Sequence, residues 1–260
     1  AARALAAAPA GGPEAGPAAD ALAVAPAELE QVRRVAPGPV ADVWPLAPLQ
    51  EGLFFHATYD AAALDVYTVH ETFDFAAPLD AARLRAALRT LLRRNPGLRA
   101  GFTGTGLSRP VQFIAADPEP PVAELDLSEL PDAELPGRLE AVLAAERTRR
   151  FDLARPPLLR LLLVHLGPGR GDRLIISRHL LLWDGWSAWI FLDQLFTLYA
   201  TGGDDRDLPP AGSYRDYLAW LARQDPEAAT GAWRAALAGL DEPTLLAPAA
   251  GEADPVIPDR

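Results

Sequence analysis

Neither cysteine nor methionine occurs in the 260 residues of this sequence. Without cysteine the chain has no disulfides, no thiolate chemistry and no cysteine metal site. Because methionine is missing even from position 1, the sequence is expected to be a piece of a longer product or a processed chain. Positive charge is also scarce. With 24 basic against 35 acidic residues the net charge is −11, and the acidic surface this implies argues against nucleic acid and against an anionic membrane as partner. No apolar run approaches the roughly 18 residues of a membrane span, and no secretory signal is visible, so a soluble, cytoplasmic protein is expected.

What is present can fold. Half of the residues are hydrophobic, enough to bury a core in one large domain or two smaller ones. The opening residues, Ala1 to Pro26, are dominated by Ala, Pro and Gly, which reads as a linker over 1–28, with Ala1 to Ala8 as the end of a preceding helix. An ordered domain is expected over 29–242. Residues 243–260 read as a tail or as the start of a further lobe.

Within the domain, Pro48 suits a helix first turn, and Leu49, Leu53 and His56 share one face of that helix. Tyr67 to Phe75 alternates as a half-buried strand with His70 on its polar face. Asp80 caps a helix carrying Leu84, Leu88, Leu91 and Leu92, which must stop near Asn95 because Pro96 follows. A further helix is expected from about Asp132 to Arg149. Leu158 to His165 and Arg173 to His179 are apolar runs joined by a turn at Gly167 to Asp172, the pattern of neighbouring strands in a buried sheet. Ser213 opens a capping-box pattern ahead of Tyr214, Asp216, Tyr217 and Trp220.

The most informative stretch is Ser177-Arg178-His179-Leu180-Leu181-Leu182-Trp183-Asp184-Gly185-Trp186-Ser187. It lies between a strand and a helix running from Trp186 to Ala200, with Asp184 and Gly185 at the corner. Such a turn can present side chains and free helix amides to a substrate. The four histidines, His56, His70, His165 and His179, have no metal-type spacing, so no metal site is expected. Ser177 and Ser187 lack a nucleophile-elbow context. Trp183, Trp186 and Trp189, at intervals of three, read as packing residues on one side of the helix start.

The turn resembles the His-His-x-x-x-Asp-Gly motif of condensation domains in nonribosomal peptide synthetases. Val43 to His56, Arg94 to Phe102, Phe151 to Leu153 and Tyr214 to Trp220 are similar to further motifs of that family, in the same order. Asn95 takes the place of a histidine in the second of these. The resemblance implies an α/β fold, a chloramphenicol-acetyltransferase-like lobe with a mixed central sheet flanked by helices. At about half the length of a complete condensation domain, the chain corresponds to the amino-terminal lobe of two.

The resemblance further implies amide formation, in which the amine of an acceptor aminoacyl thioester attacks a donor acyl thioester. Each is carried on the phosphopantetheine arm of a carrier protein, so donor and acceptor carrier proteins and a neighbouring adenylation domain are the implied partners, and no cofactor is bound directly. His179 matches the first motif histidine, and Leu180 stands where the second, catalytic histidine is expected. In the alternative register Trp183 is an extra residue and Arg178-His179 is the dyad. Keeping the spacing is favoured, because an insertion would shift the strand or strain the turn. Asp184 is expected to hold the loop through a buried pair with Arg99 or Arg160, and the amides of Gly185 and Trp186 to stabilise an oxyanion. Leucine cannot handle a proton, so this chain is expected to be impaired. The competing readings are a non-catalytic module that recruits a carrier protein or tailoring enzyme, and a stand-alone acyltransferase, which would equally need His at 180.

Overall fold

The computed structural model describes residues 22–59 and 65–240. The order along the chain is α1 (Pro26–Val35), β1 (Val40–Pro45), α2 (Pro48–Tyr59), β2 (Thr68–Phe75), α3 (Ala81–Arg94), a 3₁₀ turn (Pro96–Arg99), β3 (Ala100–Thr103) and β4 (Val111–Ala115). There follow β5 (Val122–Asp126), α4 (Leu135–Thr148), β6 (Leu159–Gly167), β7 (Gly171–His179), α5 (Gly185–Ala200), α6 (Tyr214–Leu221) and α7 (Pro226–Ala236).

The fold is α/β, as expected, but its strands form two sheets rather than one. A three-stranded sheet has the order β1-β4-β3, and a mixed four-stranded sheet the order β2-β7-β6-β5. In the second sheet β7 is antiparallel to both neighbours while β5 runs parallel to β6. The β6–β7 hairpin turns where the glycine-rich segment placed it. Gly171 opens β7 at φ +71°, and a Cβ there would collide with the Phe75 carbonyl, so only glycine fits.

Both faces of the four-stranded sheet are covered, which explains the near-continuous apolar runs of β6 and β7. On one face Leu84, Leu88 and Leu91 of α3 and Leu195 and Leu198 of α5 pack on Leu159, Leu161, Leu174 and Ile176. On the other, Leu139 and Val142 of α4 pack on Val164 and Ile175. Asp80 caps α3 by accepting from the amides of Ala82 and Arg83 at 2.8 and 3.1 Å, and the helix stops at Arg94 before Pro96. The three-stranded sheet contributes Trp44, Phe102 and Ile114 to a separate core cluster that includes Leu181 of the motif turn.

The end of the expected linker is structured instead. Leu22 is 4% exposed within that cluster, and Pro26 opens α1, because a leucine among alanines and prolines suffices to anchor the segment. Residues 1–21, including the expected helix end at Ala1 to Ala8, and 243–260 lie outside the described residues. The chain divides into compact units at 222/223. In the second unit α7 is capped by Asp225, which accepts from Glu227 and Ala228, and it buries none of its residues. Among the described residues no helix is long and apolar enough to cross a membrane.

Candidate functional site

The motif turn joins the end of β7 to the start of α5. His179 is the last residue of β7, opposite Thr68, and the ladder continues through a hydrogen bond from the Leu180 amide to the Tyr67 carbonyl at 2.9 Å. Strand alternation therefore sends the side chains of 179 and 180 to opposite faces. His179 is fully buried and Leu180 half-buried.

His179 is anchored through one ring nitrogen, and the other is buried beside a carboxylate without forming a hydrogen bond. Its Nδ1 accepts the Leu181 amide at 3.1 Å, and its Nε2 lies 3.3 Å from Oδ2 of Asp65. An Nδ1 that accepts from a backbone N–H carries no proton, so the neutral ring has its hydrogen on Nε2, on the side where Asp65 lies but not aligned for a hydrogen bond. Burial pushes the Asp65 carboxyl up, but the His179 ring, the Tyr67 amide and the Thr68 hydroxyl outweigh it and hold the group at about 2. The result is a buried pair that fixes the end of the strand. A ring in this tautomer has no lone pair at Nε2 with which to accept a substrate proton.

Asp184 has extended backbone angles, φ −87° and ψ −179°, and is the N-cap of α5. Its Oδ1 accepts the Ser187 amide at 2.9 Å, and that backbone donor holds the carboxyl below its ordinary value. The expected buried pairing with an arginine is not what its two proposed partners make. Arg99 donates to the carbonyls of Ala115 and Ala116. Arg160 pairs with Glu146 at 3.3 Å, donates to the Arg149 carbonyl and stacks 3.9 Å over the Phe151 ring. The reason is geometric: Asp184 is exposed at a helix start, whereas Arg160 lies opposite Ser177 on the sheet face covered by α4.

Gly185 and Trp186 open α5 as expected, but the Asp184 carboxylate faces the same helix terminus, and the Trp186 amide helps lower its pKa. An oxyanion there would compete with a charge already in place. Gly185 has open space where a Cβ would stand and no positive φ, so no steric need for glycine arises at this corner. Trp183 is buried, stacked at 4.8 Å on Phe191, and its carbonyl accepts from Arg178 at 3.3 Å. Trp186 and Trp189 are instead 85% and 72% exposed. The three tryptophans do not share one packed side, because Trp183 precedes the helix and only the other two follow its rotation.

Gln50, Gln112 and Tyr214 tie the turn to the neighbouring elements. Gln50 of α2 donates to the Leu181 carbonyl at 2.9 Å and accepts at Oε1 from the Ala47 amide, the Gln112 side chain and the Tyr214 hydroxyl at 3.0, 3.2 and 3.0 Å. Burial, with Tyr217 adding to it, pushes the Tyr214 phenol up to about 12, so it remains a neutral donor. On the α4 face His70 Nδ1 lies 2.9 Å from Ser177 Oγ, which contacts Glu146 at 3.3 Å. His165 is bound between Asp172 and Glu124 at 3.0 and 3.3 Å, while His56 is exposed on α2. Gln50, within Val43 to His56, and Tyr214, within Tyr214 to Trp220, lie in segments the sequence singled out, whereas nothing there pointed to Gln112 or Glu146.

Comparison with known proteins gives a consistent result. The sequence model of the family described as Condensation domain matches residues 40–255. A linear gramicidin synthase of Brevibacillus parabrevis is 37% identical over 209 residues, which is 80% of this chain and 4% of that protein. Bacitracin synthase 3 of Bacillus licheniformis is 30% identical over 222 residues, 85% of this chain and 4% of that protein. The chain thus spans a few per cent of these curated relatives' length. Among solved structures, the starter condensation domain of rhizomide synthetase, as a double mutant, superposes with a TM-score of 0.67 at 20% identity, covering 80% of this chain and 48% of that one. With its motifs in order and its strand-turn-helix in place, the chain belongs to the condensation-domain family of nonribosomal peptide synthetases.

Proposed function

We propose that this chain is the amino-terminal lobe of a condensation domain that joins a donor acyl thioester to the amine of an acceptor aminoacyl thioester, and that it is impaired at the reactive position. In the reaction the amine nitrogen forms a bond to the thioester carbonyl carbon, the carbon–sulfur bond breaks, and the donor arm leaves as a thiol. The nitrogen must lose one proton on the way. Both substrates arrive on phosphopantetheine arms of carrier proteins, delivered with the help of a neighbouring adenylation domain.

The observation that carries the reading is the pair of neighbours His179 and Leu180. The imidazole that remains is fully buried, its Nδ1 taken by the Leu181 amide and its Nε2 beside Asp65, while the side chain at 180 has no group that can take a proton. Trp183, which would be the extra residue in the alternative register, is packed and not extruded, which supports a substitution at Leu180. Loss of a proton-handling group costs about 10²- to 10⁴-fold in rate. Dipeptidyl-thioester formation, followed by intact mass of the loaded carrier protein for the complete parent domain, tests this. Product from Leu180→His and far less from the Leu180 form is expected; equal activity of the two would contradict the role given to position 180.

A second reading is favoured by Trp186 and Trp189, large and exposed beside the turn. A condensation-like module without catalysis could use such a surface to hold a carrier protein or tailoring enzyme. If neither form turns over while both retain a carrier protein, this reading replaces the first.

A further inference from the structure

We infer that the open cavity lined by α3, the 3₁₀ turn, α5 and α6 is a subsite for an uncharged, aliphatic or aromatic side chain of an aminoacyl substrate. The inference rests on the acyl-transfer reading above and adds to it the class of side chain admitted. The cavity measures about 430 Å³, within the range of small-molecule sites and far beyond a packing defect. Leu91, Leu98, Trp183 and Phe191 form apolar walls, and Gln50 and Tyr214 contribute polar groups. Those two are bonded to each other at 3.0 Å, and Gln50 is fixed to the motif turn through Leu181, so part of the lining is preorganised.

Two features define the occupant. Among the described residues, no lining side chain is acidic or basic. A carboxylate or ammonium entering the cavity would lose its hydration without gaining a counter-charge, whereas an apolar side chain would shed water. The cavity also adjoins the reactive turn, because Trp183 belongs to the motif and Ser187, in the first turn of α5, lines it too. A substrate held at the corner would meet this cavity through Leu182, Trp183 and Ser187, which line it on either side of Asp184 and Gly185. Tyr217 and Ile190, 45% and 61% exposed, also line the cavity and leave an apolar approach to it.

Glycine positions provide a plug that spares the core. Gly97 and Gly212 line the cavity and have no positive φ; a Cβ on Gly97 meets nothing closer than Tyr214 Cβ at 3.9 Å, and one on Gly212 meets nothing within 4 Å. The side-chain amides of Gln50, Asn95, Gln112 and Gln194 all report from the wall. We would titrate nitrogen-15-labelled protein with N-acetyl-phenylalanine amide, using the aspartate and lysine analogues as charged comparators. Saturable shifts of these four amides are expected with the phenylalanine amide, binding of the charged analogues at least about tenfold weaker, and loss of the shifts in Gly97→Leu and Gly212→Leu with the remaining spectrum unchanged. The subsite is refuted by equal response to charged and uncharged amides, by undiminished binding in both plugged variants, or by no saturable shift. Binding is read without turnover, so a chain that binds selectively while Leu180→His makes no product retains the subsite and loses the functional reading. Turnover without selective binding does the reverse.

Discussion

The two faces of the four-stranded sheet carry unlike residues. Under α3 and α5 the middle of the face is apolar and mostly leucine, with polar groups only at its two ends, Arg178 beside Glu71 and Asp172 with His165 and Glu124. Towards the other side β2 and β7 present a row of polar pairs: Asp74 with Arg173, His70 with Ser177 and Glu146, and at the end His179 beside Asp65. The contrast teaches that retaining a motif histidine is not the same as retaining its chemistry. His179 belongs to the polar row and is consumed by structure, while alternation puts Leu180 on the opposite face.

The comparison can be broken most severely at His179. His179→Ala removes a fully buried ring and leaves the Asp65 carboxylate only the Tyr67 amide and the Thr68 hydroxyl, and a loss of about 2–5 kcal/mol in urea unfolding is expected. Leu180→Ala should cost a fraction of that; equal losses would mean that the two faces are not distinct. Acid should expose the same pair. The folded Asp65 carboxyl sits at about 2 against an ordinary value of 3.8, so its contribution is complete only above about pH 5 and is lost progressively as pH falls through 2. Asp65→Asn should flatten that part of the acid-unfolding profile, and an unchanged slope would remove the carboxylate from the account.

At the exposed end of the turn the effects are smaller. Asp184→Ala removes the cap on α5 and should lower stability by about 1 kcal/mol, with Asp184→Asn recovering most of it, as read from thermal or urea midpoints. A much larger loss would point to the buried arginine pairing that the geometry denies. Gly185→Ala should be the mildest, a stabilisation of about 0.4–1 kcal/mol, since neither φ nor space requires glycine there. A destabilised Gly185→Ala would reveal a constraint that the open space around this corner does not contain.

Local signals in the sequence located most elements. Asp80 and Pro96 bracket α3, the glycine-rich segment fixes the β6–β7 hairpin, and Ser213 caps α6 by accepting the Asp216 amide at 3.1 Å. What depended on distant partners was not legible. β2 finds β7 about a hundred residues away, so the polar face of β2 could not be known to be a covered one, and His70 is half-buried there. Arg160 was matched to Asp184 by charge alone, but its position in β6 turns it towards Glu146. Asp65 lies in a stretch without periodicity, and nothing before the fold connected it to His179. The motif itself was readable; the partners that decide what its residues can do were not.

The tautomer of His179 tests the central claim most directly. Nitrogen-15 shifts of its ring near neutral pH should report a bare Nδ1, accepting from Leu181, and a protonated Nε2 beside Asp65. A protonated Nδ1 with a free Nε2 lone pair, the form a base requires, would contradict the claim that this histidine is structural and that the reactive position is the leucine beside it.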